Sequence, residues 1–551
     1  MTAIVSKINE PAFFSHLKSL FTTSATVLAE LMQNARRAEA NQVAFEYKAS
    51  DETLTVVDDG NGVDDFQALI TVAGSGWSQE VMDSERPFGM GFLAVSFAAR
   101  HIRVESRGHK IEFSSEDLIE KRPIPILSSD FGAGTRITLF GCHLSAERIG
   151  NALAEYAMGF AIPVLWNGGE LDRPHAQAKL SGAETPVGFI HVPGVHDGSG
   201  MGFKESGYVY CQGLPVSVTD MAAFSMKRCG SRLTRPVVHI DHAKYQPRMP
   251  DRDKLIDSDE AAKDIAGAIR TIWREHLETK KASMTPLAFA SACWEDARQA
   301  GCFDLLEDSP VLPASVLWQI SEMPVLTDYV DEFTERATNP VTREEVESGA
   351  VLLFWEYPEH RVGEQGDAFL RLSWALMAEN VYFISPGNLP DKHWAHAYLR
   401  SLAKERVSVD GNVVAEDYFF GSWIDGQIRV MENMTVTLDG LKYPLTHPVS
   451  MKRDDNEGTV FLVPKGAVEP GYVLRQVSQY INDCGYYVEN DYETDAEDFA
   501  QQIAIMVGES PVVTLTKSLH KGGVQERRNL RNQAFRVKFD ADGKMTVTPA
   551  E

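Results

Sequence analysis

The 551-residue chain contains no run of about 18 apolar residues, so it offers no membrane-spanning helix. Its six cysteines (Cys142, Cys211, Cys229, Cys293, Cys302 and Cys484) form no C-x-x-C pair. Such scatter argues against a zinc site or a disulfide framework and fits a reducing cytosol. The opening MTAIVSKINEPAFF lacks the basic start and apolar core of a secretory signal, so a cytoplasmic location is expected. Positive charge is scarce: 53 Lys and Arg stand against 78 Asp and Glu, a net charge of −25. Such a chain repels nucleic acid unless a local basic patch intervenes. Two stretches, Lys227 to Lys254 and Lys517 to Lys538, are basic, and both read as solvated faces. Internal repeats and low-complexity tracts are absent.

What remains is an ordinary globular composition, 44% hydrophobic and 24% charged, and a length that suggests about three or four domains. Helical spacing of Val27, Leu28, Leu31, Ala35 and Ala38 predicts a helix to about Ala40, with Ser24 as its N-cap. Alternation of Val43, Phe45 and Tyr47 predicts a strand, and TLTVVD a second one ending at Asp58. GFLAVSFAA reads as a buried helix, HIRVESR and KIEFSS as a hairpin around Gly108, and GTRITLFG as a further strand. This order predicts an α+β layer, with helices on one face of a mostly antiparallel sheet. Residues 1–149 are read as this domain and 150–282 as a second α/β domain. Residues 283–405 are read as a mostly helical α/β region with strands near AVLLFWEY and NVYFIS, and 406–551 as a mixed α/β region.

Glu30 and Asn34 stand four apart and share one helix face. Buried neighbours on either side put them at the border of a cleft. Asp58 ends a strand and is followed by Gly60 and Gly62, whose bare backbone lets a flat ligand approach. A carboxylate there can accept from an exocyclic amine, although Asp-Gly and Asn-Gly are also ordinary turn pairs. In RPFGMGFLAVS, Gly89 and Gly91 precede an apolar helix, where free amides suit phosphate. No Gly-Lys-Ser/Thr follows, so this is not a P-loop, and no strand precedes it, so it is not a dinucleotide fingerprint.

ELMQNA, DDGNG, GMGFLAVS and GTRITLFG, in this order and spacing, resemble the motifs of the GHKL ATPases with the Bergerat fold. That superfamily includes gyrase B subunits, the large heat-shock chaperone, sensor histidine kinases and mismatch-repair MutL. The resemblance covers about residues 12–141 and is nearest to the heat-shock branch, partly through VAGSGW with Ser75 and Gly76. It implies ATP and Mg²⁺ as ligands. Glu30 would orient water toward the γ-phosphate, Asn34 would bind Mg²⁺, and Asp58 would accept the adenine amine. Gly60 and Gly62 would shape the base pocket; Ser75, Gly76, Gly89, Gly91 and Phe92 would lie along the phosphates; Thr135 would add a hydroxyl beside Asp58. The chain departs from the pattern at Gly74, where a lysine is usual, and at Arg37, where an aspartate is frequent.

The resemblance also implies a cation from the second domain. Arg252 in MPDRDKLI is the first choice and Lys254 the second. The function expected is an ATP-hydrolysing conformational switch that dimerises when ATP is bound, Phe13, Phe14 and Leu17 crossing to the partner. Its client is an unknown protein. A low-turnover ATP-binding scaffold or inhibitor, and a DNA-remodelling ATPase of the MutL or topoisomerase type, are the alternatives. Net charge disfavours nucleic acid, and no membrane partner is expected.

Overall fold

The computed structural model describes residues 25–71, 91–197, 207–218, 235–248, 253–321, 334–355, 381–401, 407–438, 441–452, 458–508, 510–541 and 544–550. The chain divides into two compact units, residues 1–279 with 299–302 and residues 280–298 with 303–551. The first carries the segments singled out above.

Its leading layer is an eight-stranded sheet. The strands are β1 (Val43–Lys48), β2 (Thr53–Asp58), β3 (Ala99–Ser106), β4 (His109–Ser114), β5 (Leu127–Ser128), β6 (Thr135–Cys142), β7 (Val164–Trp166) and β8 (Gly169–Glu170). Their order is β5-β4-β3-β6-β2-β1-β7-β8, antiparallel throughout except where β7 joins β1. The fold is therefore the expected α+β layer with an antiparallel-rich sheet. It runs on to Glu170, because β7 returns to pair with Val43–Phe45. The β3–β4 hairpin turns at Arg107 and Gly108, with φ of 48° and 76°. Two positive φ values match the right-handed twist of the flanking strands.

Helices α1 (Thr26–Arg37), α2 (Phe66–Ile70), α3 (Gly91–Ser96), α4 (Ser115–Ile119) and α5 (Ala146–Ala157) accompany the sheet. The helical spacing expected for α1 is met by Val27, Leu28, Leu31, Met32 and Ala35, which pack with Phe45, Leu54, Leu93, Ile102 and Leu139 in one core. Ala25 precedes α1 and supplies no side-chain cap; Ser24 lies outside the described residues.

A second, five-stranded sheet follows: β9 (Ala183–Thr185), β10 (Gly188–His191), β11 (Tyr208–Cys211), β12 (Leu214–Pro215) and β13 (Val237–Ile240), in the order β12-β11-β13-β10-β9. The charged helix α6 spans Ser258–Ser283.

The second unit holds all but the last residue of helix Pro286–Gln299 and a five-stranded sheet built from Trp318–Ile320, Thr334–Arg336, Leu352–Phe354, Val381–Phe383 and Leu399–Arg400. The expected strands in AVLLFWEY and NVYFIS are among these. Farther on, Val407–Phe420, Asp425–Leu438, Val449–Lys452 and Thr459–Pro464 form another sheet, against which helix Glu489–Met506 packs through Phe499 and Ile503.

Candidate nucleotide site

The site is built where α1 ends against the turn after β2. Asn61 N donates to Ala38 O at 2.7 Å. A Cβ on Gly60 would lie 2.5 Å from that oxygen and 2.8 Å from Ala38 Cβ, so the helix end itself requires glycine there. Gly62 takes φ of 76°, and a Cβ on it would lie 2.6 Å from Ser106 Oγ. Both glycines thus have reasons internal to the fold, beyond the open approach to a ligand that the sequence suggested.

Asp58 and Asp59 are neighbours with opposite employment. Asp59 Oδ1 accepts from the amides of Asn41 at 2.7 Å and Gln42 at 3.1 Å, and its Oδ2 from Asn41 Nδ2 at 3.2 Å. It ties the turn to the start of β1. Asp58, partly buried, accepts from Gly60 N at 3.0 Å and faces Thr135 across the β2–β6 ladder. Thr135 donates to it through both its amide and its hydroxyl. Burial still outweighs these donors and holds the Asp58 pKa above its ordinary value of 3.8. A carboxylate so held is short of positive partners, which suits an acceptor for an incoming amine.

Ser106 is a member of this site that the sequence did not single out. It is fully buried; its hydroxyl donates to Gly134 O at 2.6 Å and accepts from Val63 N at 2.9 Å. It therefore pins the glycine turn to the turn that delivers Thr135. Behind it, Glu105 bonds Arg136 at 2.7 Å and Ser129 at 2.7 Å, and the Arg136 bond holds the Glu105 carboxyl below its ordinary range. Nothing in the chemistry of an isolated ES pair in HIRVESR signals this; the β3–β6 register creates it.

On α1, Glu30 is 7% exposed and Asn34 partly buried, one turn apart on the helix that meets the glycine turn. Arg37 Nη1 reaches Asn34 Oδ1 at 3.5 Å, so the residue that replaces the usual aspartate bonds the asparagine directly. Asn34 offers one hard oxygen. Among the described residues, no group of three His, Cys, Asp or Glu could hold a metal. That donor set fits Mg²⁺ carried in by a nucleotide, which keeps waters and phosphate ligands, and does not fit a metal held by protein alone.

Gly91 opens α3, and the Phe92 ring is 8% exposed within the core, leaving only its main chain for any ligand. Ser75, Gly76, Gly89 and Arg252 lie outside the described residues, as do Phe13, Phe14 and Leu17. Lys254 is exposed, and its carbonyl accepts from Arg248 N at 2.6 Å. The structure thus brings together Asp58, Gly60, Gly62 and Thr135, with the α1 face of Glu30 and Asn34 joined to them through Ala38.

A helix bearing Glu and Asn, set on an antiparallel-rich sheet whose strand end holds a partly buried Asp beside Thr, defines a nucleotide-binding α+β domain. Residues 22–122 match the family model described as Histidine kinase-, DNA gyrase B-, and HSP90-like ATPase. The chain carries a GHKL-type ATPase domain, a domain class that binds ATP. The match embraces the superfamily and does not single out its heat-shock branch; it ends before Thr135. No curated protein matches the chain. Among the described residues, no helix is long and apolar enough to cross a membrane.

Proposed function

We propose that this protein is an Mg²⁺-dependent ATPase that works as a nucleotide-driven conformational switch on a protein client. The observation that carries the reading is Asp58: a partly buried carboxylate with a raised pKa at a strand end, beside Thr135, while Asp59 is fully engaged in the fold. Asp58 accepts the adenine amine, with Thr135 alongside; Gly60 and Gly62 leave the base room. Asn34 Oδ1 would hold the magnesium that accompanies the phosphates, and that ion would supply charge neutralisation for phosphoryl transfer. Arg37 must yield that oxygen or share it. Glu30 takes a proton from the attacking water as general base. Ser75, Gly76, Gly89, Gly91 and the Phe92 main chain are assigned to the phosphates, and Arg252, or else Lys254, to the γ-phosphate. ATP-dependent dimerisation through the N-terminal region completes the cycle, in the cytoplasm.

The test is an ATPase assay with and without DNA on the full chain, whose mass is measured with and without a non-hydrolysable ATP analogue. Turnover that depends on Glu30, is indifferent to DNA, and accompanies a doubling of mass supports the switch. Binding without turnover identifies a scaffold instead, and DNA-stimulated turnover that falls steeply with salt identifies a DNA remodeller.

A further inference from the structure

Gln33 lies between Glu30 and Asn34 on α1, yet it faces neither water nor the sheet core. Its side chain is 1% exposed and both ends are bonded. Oε1 accepts from Arg36 Nε at 3.0 Å, and Nε2 donates to the backbone carbonyl of Gln212 at 2.9 Å. Gln212 belongs to the second sheet. It forms, with Gly213, the two-residue turn of the β11–β12 hairpin, at φ of 53° and 83°.

That hairpin tip is clasped from a second side. A Cβ on Gly213 would lie 3.2 Å from Gly159 O and 3.2 Å from Phe160 Cα, in the segment that follows α5. A Cβ on Gly159 would run into the Tyr210 ring of β11. Leu214 of β12 is 5% exposed and belongs to the same core as α1. The hairpin then leads on to the loop that carries Lys254: Ser217 N donates to Asp253 O at 2.7 Å, and Ser217 bridges Lys254 in parallel. One short path therefore runs from α1 through Gln33 to Gln212, along β12 to Ser217, and into Asp253 and Lys254.

We infer that Gln33 is a positioning residue that couples the nucleotide helix to the second sheet, its amide passing movement of α1 through the Gln212 carbonyl to the 253–254 loop. A single neutral hydrogen bond suits this role. It is strong enough to register the two elements and weak enough to be made or broken within one ATPase cycle. The Gln33 end of the bond is buried, so breaking it leaves the side-chain amide short of a partner and costs free energy. The inference rests on the ATPase reading of the site, and the experiment separates the two.

In the full chain, Gln33→Met keeps length and burial but removes the donor, while Gly213→Ala, at φ of 83° and with a Cβ pressed on Gly159 O and Phe160 Cα, displaces the acceptor turn. The native chain is expected to bind a non-hydrolysable ATP analogue and to slow hydrogen exchange at the Val216 and Ser217 amides more with that analogue than with ADP. In Gln33→Met that difference disappears and kcat falls on the order of tenfold, the scale of one neutral hydrogen bond, while KM and ADP affinity stay within about twofold. Gly213→Ala does the same, and the double variant is no worse than either single one, because both break one link. Native exchange differences and native kcat in Gln33→Met overturn the inference while leaving the ATPase reading intact. Additive losses in the double variant also overturn it. A native chain that binds no nucleotide defeats the ATPase reading, and the inference falls with it. If Gln33→Met does not fold, Gly213→Ala with the same two readouts decides the matter.

Discussion

Replacing Asp58 by Asn separates the stability of the site from its function. Asn has nearly the same shape, and its amide oxygen can still accept from Gly60 N. What is lost is the negative charge. An adenine amine donating to a carboxylate forms a charge-assisted bond worth about 1.5–3 kcal/mol. At about 1.36 kcal/mol per decade, Asp58→Asn should weaken ATP and ADP alike by about 10- to 150-fold. Without nucleotide, the same change should stabilise. Burial raises the folded-state pKa of Asp58, so the folded chain holds this proton more tightly than the unfolded chain does. The stability this group contributes is full below the unfolded value of 3.8 and is lost as pH rises through the raised folded value. At neutral pH the native chain therefore carries the whole penalty and Asp58→Asn carries none. Its melting temperature should exceed the native one at pH 7, with the difference shrinking as pH falls toward 3.8. Calorimetric titration of ADP and thermal melts across pH measure both effects. Native affinity in a folded Asp58→Asn protein, or a melting difference that grows on acidification, refutes the reasoning.

Glu30→Gln should bind ATP normally but lose about 10²–10⁴-fold in turnover; an unchanged rate in steady-state assays would reduce Glu30 to a helix charge. Gly134 sits at φ of 71°, and a Cβ there would collide with the Asp58 carbonyl. Gly134→Ala should therefore cost about 1–3 kcal/mol in denaturant unfolding and weaken nucleotide binding with it; a stable variant with native affinity would show that the turn can yield. Arg252→Ala should reduce hydrolysis and ATP-induced compaction, read by small-angle scattering, while leaving ADP affinity nearly unchanged, because ADP has no γ-phosphate. If Arg252→Ala behaves as native, the same pair of measurements applies to Lys254→Ala, and indifference of both removes the second domain from the mechanism.

Periodicity made much of the first layer legible. The period of Val27, Leu28, Leu31 and Ala35 announced α1, alternation announced β1, and Gly108 announced the β3–β4 turn. Each of those signals is local, and each element is closed by residues near it in sequence. The joining of β7 to β1 was not legible, because Val164–Trp166 is too short to carry a period and its partner lies more than a hundred residues earlier. The division of labour in DDGNG was half legible. Asp58 stood out by its place at the strand end, whereas the employment of Asp59 comes from Asn41 and Gln42, which the sequence did not connect to it. Ser106 and Gln33 were invisible for a related reason: each gains its role from a partner, Gly134 or Gln212, that only the sheet register or the second sheet supplies.

The same contacts explain why Asp58 is held in an unfavourable state. Its turn is fixed on three sides by groups other than its own carboxylate. Asp59 anchors it to β1, the Ala38 carbonyl and Cβ hold Gly60, and Ser106 joins Val63 to Gly134. A turn with only one such tie would relax and let water reach Asp58, lowering its pKa toward the ordinary value. Held from three directions, it cannot follow its own most favourable solvation. If Asp58 takes the adenine amine as proposed, rigidity of the glycine turn and affinity for that amine rise together. Loosening any of the three ties should return part of the Asp58 shift and part of the nucleotide affinity together.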